Sequence, residues 1–144
     1  MRIKIIISIL LLISVTGCQS LIQMSTKNED QDKLNSREMT EEEQAYIEFL
    51  LTEEYDELIS ITEDRKSEVK QDYYLLAASL KQYDEAEERK QNPDVTNEEL
   101  ELRYSLILQQ LRKVSYIPTE IKDQIIEVKK LALYQKEYYA NQQL

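Results

Sequence analysis

The 144-residue chain has no histidine, no tryptophan, one cysteine, one glycine and two prolines. Gly17 and Cys18 are adjacent near the start, and no glycine follows them. Gly-rich phosphate loops, Rossmann turns, nucleophile elbows and EF-hand loops all need backbone that glycine alone tolerates, so each is excluded. Without histidine, and with its lone cysteine at position 18, the chain cannot build a His- or Cys-based metal site. It also lacks a Ser-His or Cys-His nucleophile pair and any internal disulfide. What is abundant is Glu, Gln, Leu and Tyr, with a formal net charge of −10. Strong helix formers with only two prolines predict an all-α domain.

The first residues indicate location. Arg2 and Lys4 form a short basic start, and Ile5 to Val15 is an apolar run interrupted only by Ser8 and Ser14. About eleven residues at 1.5 Å each are too few to cross a bilayer core of roughly 30 Å, but they suit the hydrophobic region of a signal peptide. The following Val15-Thr16-Gly17-Cys18 resembles the bacterial lipobox, in which small residues precede a cysteine that is lipidated and becomes the first mature residue. That resemblance implies a lipoprotein signal peptide over 1–17 and Cys18 as the lipidated residue. The mature protein is then held outside the cytoplasm, on the outer membrane or the plasma membrane. Two or three acyl chains anchor firmly, because each CH₂ adds about 0.8 kcal/mol. From Gln19 to Met39 apolar residues are sparse and aperiodic, so 18–39 is expected to be the lipidated cysteine plus a flexible tether. A coil of that length spans roughly 25 Å.

Residues 40–144 read as one helical domain. Thr40-Glu41-Glu42-Glu43 and Thr96-Asn97-Glu98-Glu99 have capping-box form, and Pro118 suits the first position of a last helix. Apolar spacing predicts about six helices, over 41–51, 53–63, 66–81, 83–91, 96–115 and 118–142, with Thr52 capping the second. The stripes are Ala45, Tyr46, Phe49 and Leu50; Tyr55, Leu58 and Ile59; and Val69, Tyr73, Leu76, Ala77 and Leu80. Further on they are Leu100, Tyr104, Ile107, Leu108, Leu111 and Val114, and finally Ile121, Ile125, Val128 and Ala132. Leu102 and Leu106 widen the fourth stripe, which predicts a central helix touched on two sides. Tyr55-Asp56-Glu57-Leu58 and Tyr83-Asp84-Glu85-Ala86 resemble the entry to the second helix of tetratricopeptide-like repeats, although they stand 28 rather than 34 residues apart. The resemblance implies antiparallel hairpins; an irregular helical bundle is the alternative.

No combination of residues points to catalysis. The acidic runs Glu41-Glu42-Glu43 and Glu53-Glu54-Tyr55-Asp56-Glu57 suit solvated helix N-termini. We therefore expect no enzyme, no cofactor, no metal, no small-molecule substrate and no nucleic-acid partner. Charge is uneven: residues 29–64 carry fourteen acids against Lys33 and Arg37, whereas 65–144 are nearly balanced. An acidic half of this kind can steer a basic partner. In the tyrosine pairs Tyr73-Tyr74 and Tyr138-Tyr139, one member of each can face the core and leave the other exposed. Tyr74, Leu131, Tyr134 and Tyr138 are the candidate protein-binding residues, because exposed tyrosine offers large contact area at low entropic cost. The expected function is binding of another envelope protein, as a pilotin-like assembly factor or accessory subunit, or self-association. The alternative is an exclusion or immunity lipoprotein of a mobile element.

Overall fold

In the computed structural model, which describes residues 39–142, the chain enters its first helix through Thr40. The Thr40 hydroxyl accepts the backbone N–H of Glu43, and the Glu43 carboxylate accepts the Thr40 backbone N–H, each at 3.2 Å. The capping box is thus complete. The described residues form five α-helices and no strand. They are α1 (Glu41–Leu51), α2 (Tyr55–Thr62), α3 (Glu68–Arg89), α4 (Asn97–Arg112) and α5 (Lys122–Asn141), with a 3₁₀ turn at Thr119–Ile121. The all-helical class holds. The expected signal peptide, Cys18 and nearly all of the tether lie outside the described residues. Met39, assigned to the tether, packs partly buried against the core.

Several boundaries differ from expectation. The helices expected over 66–81 and 83–91 are one helix, α3, so the count falls to five. Nothing between them breaks a helix: Gln82 and its neighbours are good formers, and the first proline downstream is Pro93. The second Tyr-Asp-Glu signature consequently lies inside α3 rather than at a helix entry. Thr52 does not cap the second helix; it closes α1, donating its hydroxyl to the Glu48 carbonyl at 2.9 Å. Glu54 occupies the N-cap of α2 and makes no side-chain capping bond. The second capping box is half formed. Thr96 accepts from Glu99 N at 3.1 Å, but the Glu99 carboxylate turns to Arg103 at 2.8 Å and Arg89 at 3.2 Å. Two guanidinium groups outcompete one backbone N–H. Pro118 precedes the 3₁₀ turn rather than opening the last α-helix directly.

With no glycine among the described residues, two helix ends place other residues in left-handed backbone: Glu53 (φ 61°) after α1 and Arg65 (φ 46°) after α2. Arg65 has a compensating contact, since its guanidinium lies 3.8 Å from the Tyr74 ring centroid.

α3 is the central element, packing on α2, on α4 and more lightly on α5, while α4 and α5 share the most extensive interface. Tyr73, Leu76, Ala77 and Leu80 of α3 are buried with Leu50, Leu58, Tyr104, Ile107, Leu111, Ile121 and Ile125. The Tyr46 and Tyr73 rings meet at 5.1 Å. Four expected positions fall elsewhere. Ala45 is exposed, Leu108 is only partly buried, and Leu102 and Leu106 are 59% and 44% exposed. α4 does touch two helices, but Leu106 reaches only the rim of the α3 contact. There it lines an open cleft of about 220 Å³ with Gln82, Glu85 and Arg103. Among the acids expected to be solvated, Glu43 is buried by its capping role.

Candidate protein-recognition surface

Glu127, Leu131, Tyr134 and Tyr138 recur along α5 at i, i+4, i+7 and i+11, which places them on one face. That face flanks the buried stripe of Ile125, Val128 and Ala132, turned about 120° from it around the helix axis. Tyr134 is 63% exposed and Tyr138 47%, while Leu131 is partly buried at the edge of the stripe. Three of the four candidate binding residues are therefore brought together. Tyr74 is not: it lies nine residues before Tyr83 on α3, about 13 Å along the axis. Partly buried beneath Arg65, it belongs to the opposite end of α3.

A ladder of four tyrosines extends this face inward. Tyr83 of α3 meets Tyr104 of α4 edge-on at 6.4 Å, Tyr104 stacks on Tyr139 of α5 at 6.1 Å, and Tyr139 meets Tyr138 edge-on at 5.1 Å. Tyr104 is fully buried and donates its hydroxyl to the Glu87 carboxylate at 2.7 Å. Burial first, and then this bond to an anion, push its phenol far above the usual range. Lys90 pairs with the same Glu87 carboxylate and also favours ionisation of Tyr139, against the larger effect of burial. The adjacency of Tyr138 and Tyr139 signalled one inward and one outward ring. The partners Tyr83 and Tyr104 carried no such signal, because they are 21 residues apart on different helices.

Carboxylates border the ladder on the α3 side. Burial raises the Tyr83 phenol, and so do the charges of Glu87, Asp84 and Glu127, which places a residue of the α5 stripe within electrostatic reach of α3. Asp84 has its own carboxyl raised by burial and then by Glu53, Glu88 and Glu87. Among the described residues, Asp84, Glu88 and Glu127 have no basic partner in a salt bridge, whereas Asp56 and Glu85 have Lys81 and Glu99 has Arg89 and Arg103.

No group of three or more acidic, Cys or His residues among those described could hold a metal ion. A cleft of about 270 Å³ beside Phe49 of α1 and Glu54 of the following turn, and the one beside Leu106, are lined by no residue of the tyrosine ladder. The exposed tyrosine face is thus bordered by carboxylates, and aromatic rings beside charged groups are common in the cores and rims of protein interfaces. No described helix is long and apolar enough to cross a membrane. The chain matches no family model, no curated protein and no solved structure.

Proposed function

We propose that this is a lipid-anchored extracytoplasmic protein that binds another protein of the cell envelope, as an assembly factor or accessory subunit of the pilotin kind. The observation that carries the reading is the stripe of Leu131, Tyr134 and Tyr138, which leaves two large tyrosine rings exposed beside the face of α5 that packs into the core. Contiguous exposed apolar surface is unusual on a monomer and commonly marks an interface. The signal-peptide pattern and Cys18 support the anchor. Pairing of each helix from α2 to α5 with its neighbour in sequence supports a hairpin stack of the tetratricopeptide-like kind as the scaffold.

Two experiments test it. Replacement of Cys18 by Ser should release the protein from the membrane fraction or leave it as uncleaved precursor, and unchanged processing and anchoring would exclude the lipoprotein assignment. Pull-down from envelope extract should recover a partner with the wild type and lose it with a Tyr134→Ala/Tyr138→Ala variant that keeps its helical circular dichroism. Equal recovery by both proteins would refute the stripe as the binding surface.

A further inference from the structure

α2 ends against α3 well short of the end of α3. At the start of α2, Asp56 pairs with Lys81. α3 continues for eight residues past Lys81, to Arg89. This overhang presents Asp84, Glu87 and Glu88 at i, i+3 and i+4, with Asp84 and Glu88 exposed. The α5 stripe comes beside this overhang through the light packing of α3 on α5 and the ring contacts that link Tyr83, Tyr104, Tyr139 and Tyr138, and Glu127 within the stripe adds its charge near Tyr83. The result is a shelf with tyrosine and leucine on one side and carboxylates on the other.

We propose that the occupant of this shelf is a basic amphipathic helix of the partner protein. Its apolar side would rest on Leu131, Tyr134 and Tyr138, and its lysine or arginine side chains would pair with Asp84, Glu88 and Glu127. The inference rests on the binding role proposed above and adds the chemistry of the partner. Charge complementarity is the argument. Asp56 of α2 and Glu99 of α4 are paired with bases, and Glu87 with Lys90, whereas Asp84 is crowded by Glu53, Glu88 and Glu87, and neither it nor Glu88 or Glu127 has a basic partner in a salt bridge among the described residues. Exposed carboxylates crowded beside tyrosine gain from an incoming cation in two ways, through ion pairing and through cation–π contact with the rings. The same charges repel nucleic acid and anionic headgroups, which leaves a polypeptide as the matching class. A helix suits the site because the shelf prolongs a surface that α2, itself a helix, already covers in part.

The test uses full-length protein in phosphatidylcholine nanodiscs, with the signal from empty nanodiscs subtracted, and fluorescence anisotropy of two labelled helical peptides of about 18 residues, or five turns. The peptides share one leucine face and differ only in flanking lysine or glutamate. The lysine peptide should bind about tenfold more tightly than the glutamate peptide, and added salt should reduce the difference. A shelf variant, Asp84→Asn/Glu88→Gln/Glu127→Gln, should weaken the lysine peptide about fivefold or more. A control variant of equal charge on α1, on α2 and just past the end of α2, Glu41→Gln/Glu57→Gln/Glu63→Gln, should stay within about twofold of wild type. The shelf variant is expected to remain folded, because Asp84 is held against neighbouring acids and loses repulsion when neutralised. Equal binding of the two peptides, binding of neither, or equal weakening by both variants would overturn the proposal, the last by reducing it to general attraction toward an acidic protein. The two ideas fail separately. If pull-down of the envelope partner depends on Tyr134 and Tyr138 but survives the shelf variant, the binding role stands and the basic helix is wrong. If it does not depend on the tyrosines, the binding role itself is wrong.

Discussion

The carboxylate of Asp72 accepts the backbone N–H of Ser115 at 2.8 Å, joining the second turn of α3 to the turn that separates α4 from α5. Its second oxygen accepts the next N–H, that of Tyr116, at 3.0 Å. Asp72 is buried, and these two bonds account for a carboxylate placed among Tyr73, Leu75 and Leu76. They also fix the direction in which α5 leaves the turn, and hence the position of its tyrosine stripe. Replacing Asp72 by Ala should cost about 2–4 kcal/mol, because two backbone donors lose a charged acceptor in a buried setting. Asn keeps one acceptor oxygen and should cost roughly half as much. Urea unfolding of the two variants measures the difference.

Leu76 is fully buried, and Leu108 is only partly so. Truncation of Leu76 to Ala should destabilise by about 2–5 kcal/mol through lost burial and the cavity left behind. Leu108→Ala should cost clearly less, at about 1 kcal/mol, because solvent can fill part of the space. Fully buried Leu111 should behave like Leu76. Equal midpoint shifts for Leu76 and Leu108 in denaturant titrations would contradict this account of the α4 faces.

Glu53 and Arg65 hold left-handed backbone at the ends of α1 and α2. Glycine carries no Cβ penalty there, so Glu53→Gly should stabilise by about 0.5–1 kcal/mol. The change also removes one of the charges that disfavour ionised Asp84, which acts in the same direction. Arg65→Gly should gain less or nothing, since it removes the guanidinium stacked on Tyr74. Thermal unfolding of the two variants side by side separates backbone strain from side-chain contact.

Burial raises the Tyr55 phenol to about 12, and it pushes Tyr46 and Tyr104 higher still, reinforced by hydroxyl bonds to Glu42 and Glu87. In the unfolded chain these groups ionise near 10. The folded state thus binds their protons more tightly. This contribution to stability is complete below about pH 10 and is lost as pH climbs from there through the folded values. Phenolate absorbance should rise in two stages, with exposed tyrosines first and the buried set only with cooperative loss of helical circular dichroism. A single smooth titration near pH 10 with the fold intact would count against the buried hydroxyl network.

Much of the framework is determined locally and can be read from the chain. The α1 start follows from Thr40 and Glu43, three residues apart, and the buried stripes follow from i, i+3 and i+4 spacing, as with Ile125, Val128 and Ala132. The pattern is strong there because both the cap and the apolar face are set by a single turn of helix. The division of labour within Tyr138-Tyr139 is of the same kind, since adjacent residues on a helix cannot share a face. Even Asp72 and Ser79 left a trace, being polar residues in register with Val69 and Leu76.

Other features depended on residues far apart in sequence, and only the tertiary structure decided them. Glu99 abandons its capping bond because the fold brings Arg89 near, ten positions away. Leu102 and Leu106 look like core by periodicity, yet α3 meets only part of the α4 surface, so both remain exposed. The Tyr83–Tyr104–Tyr139 contacts join three helices, and the Asp72 clamp spans 43 residues. The period of a sequence determines which residues share a helix face. Which faces find a neighbour is settled by the packing of all the helices together.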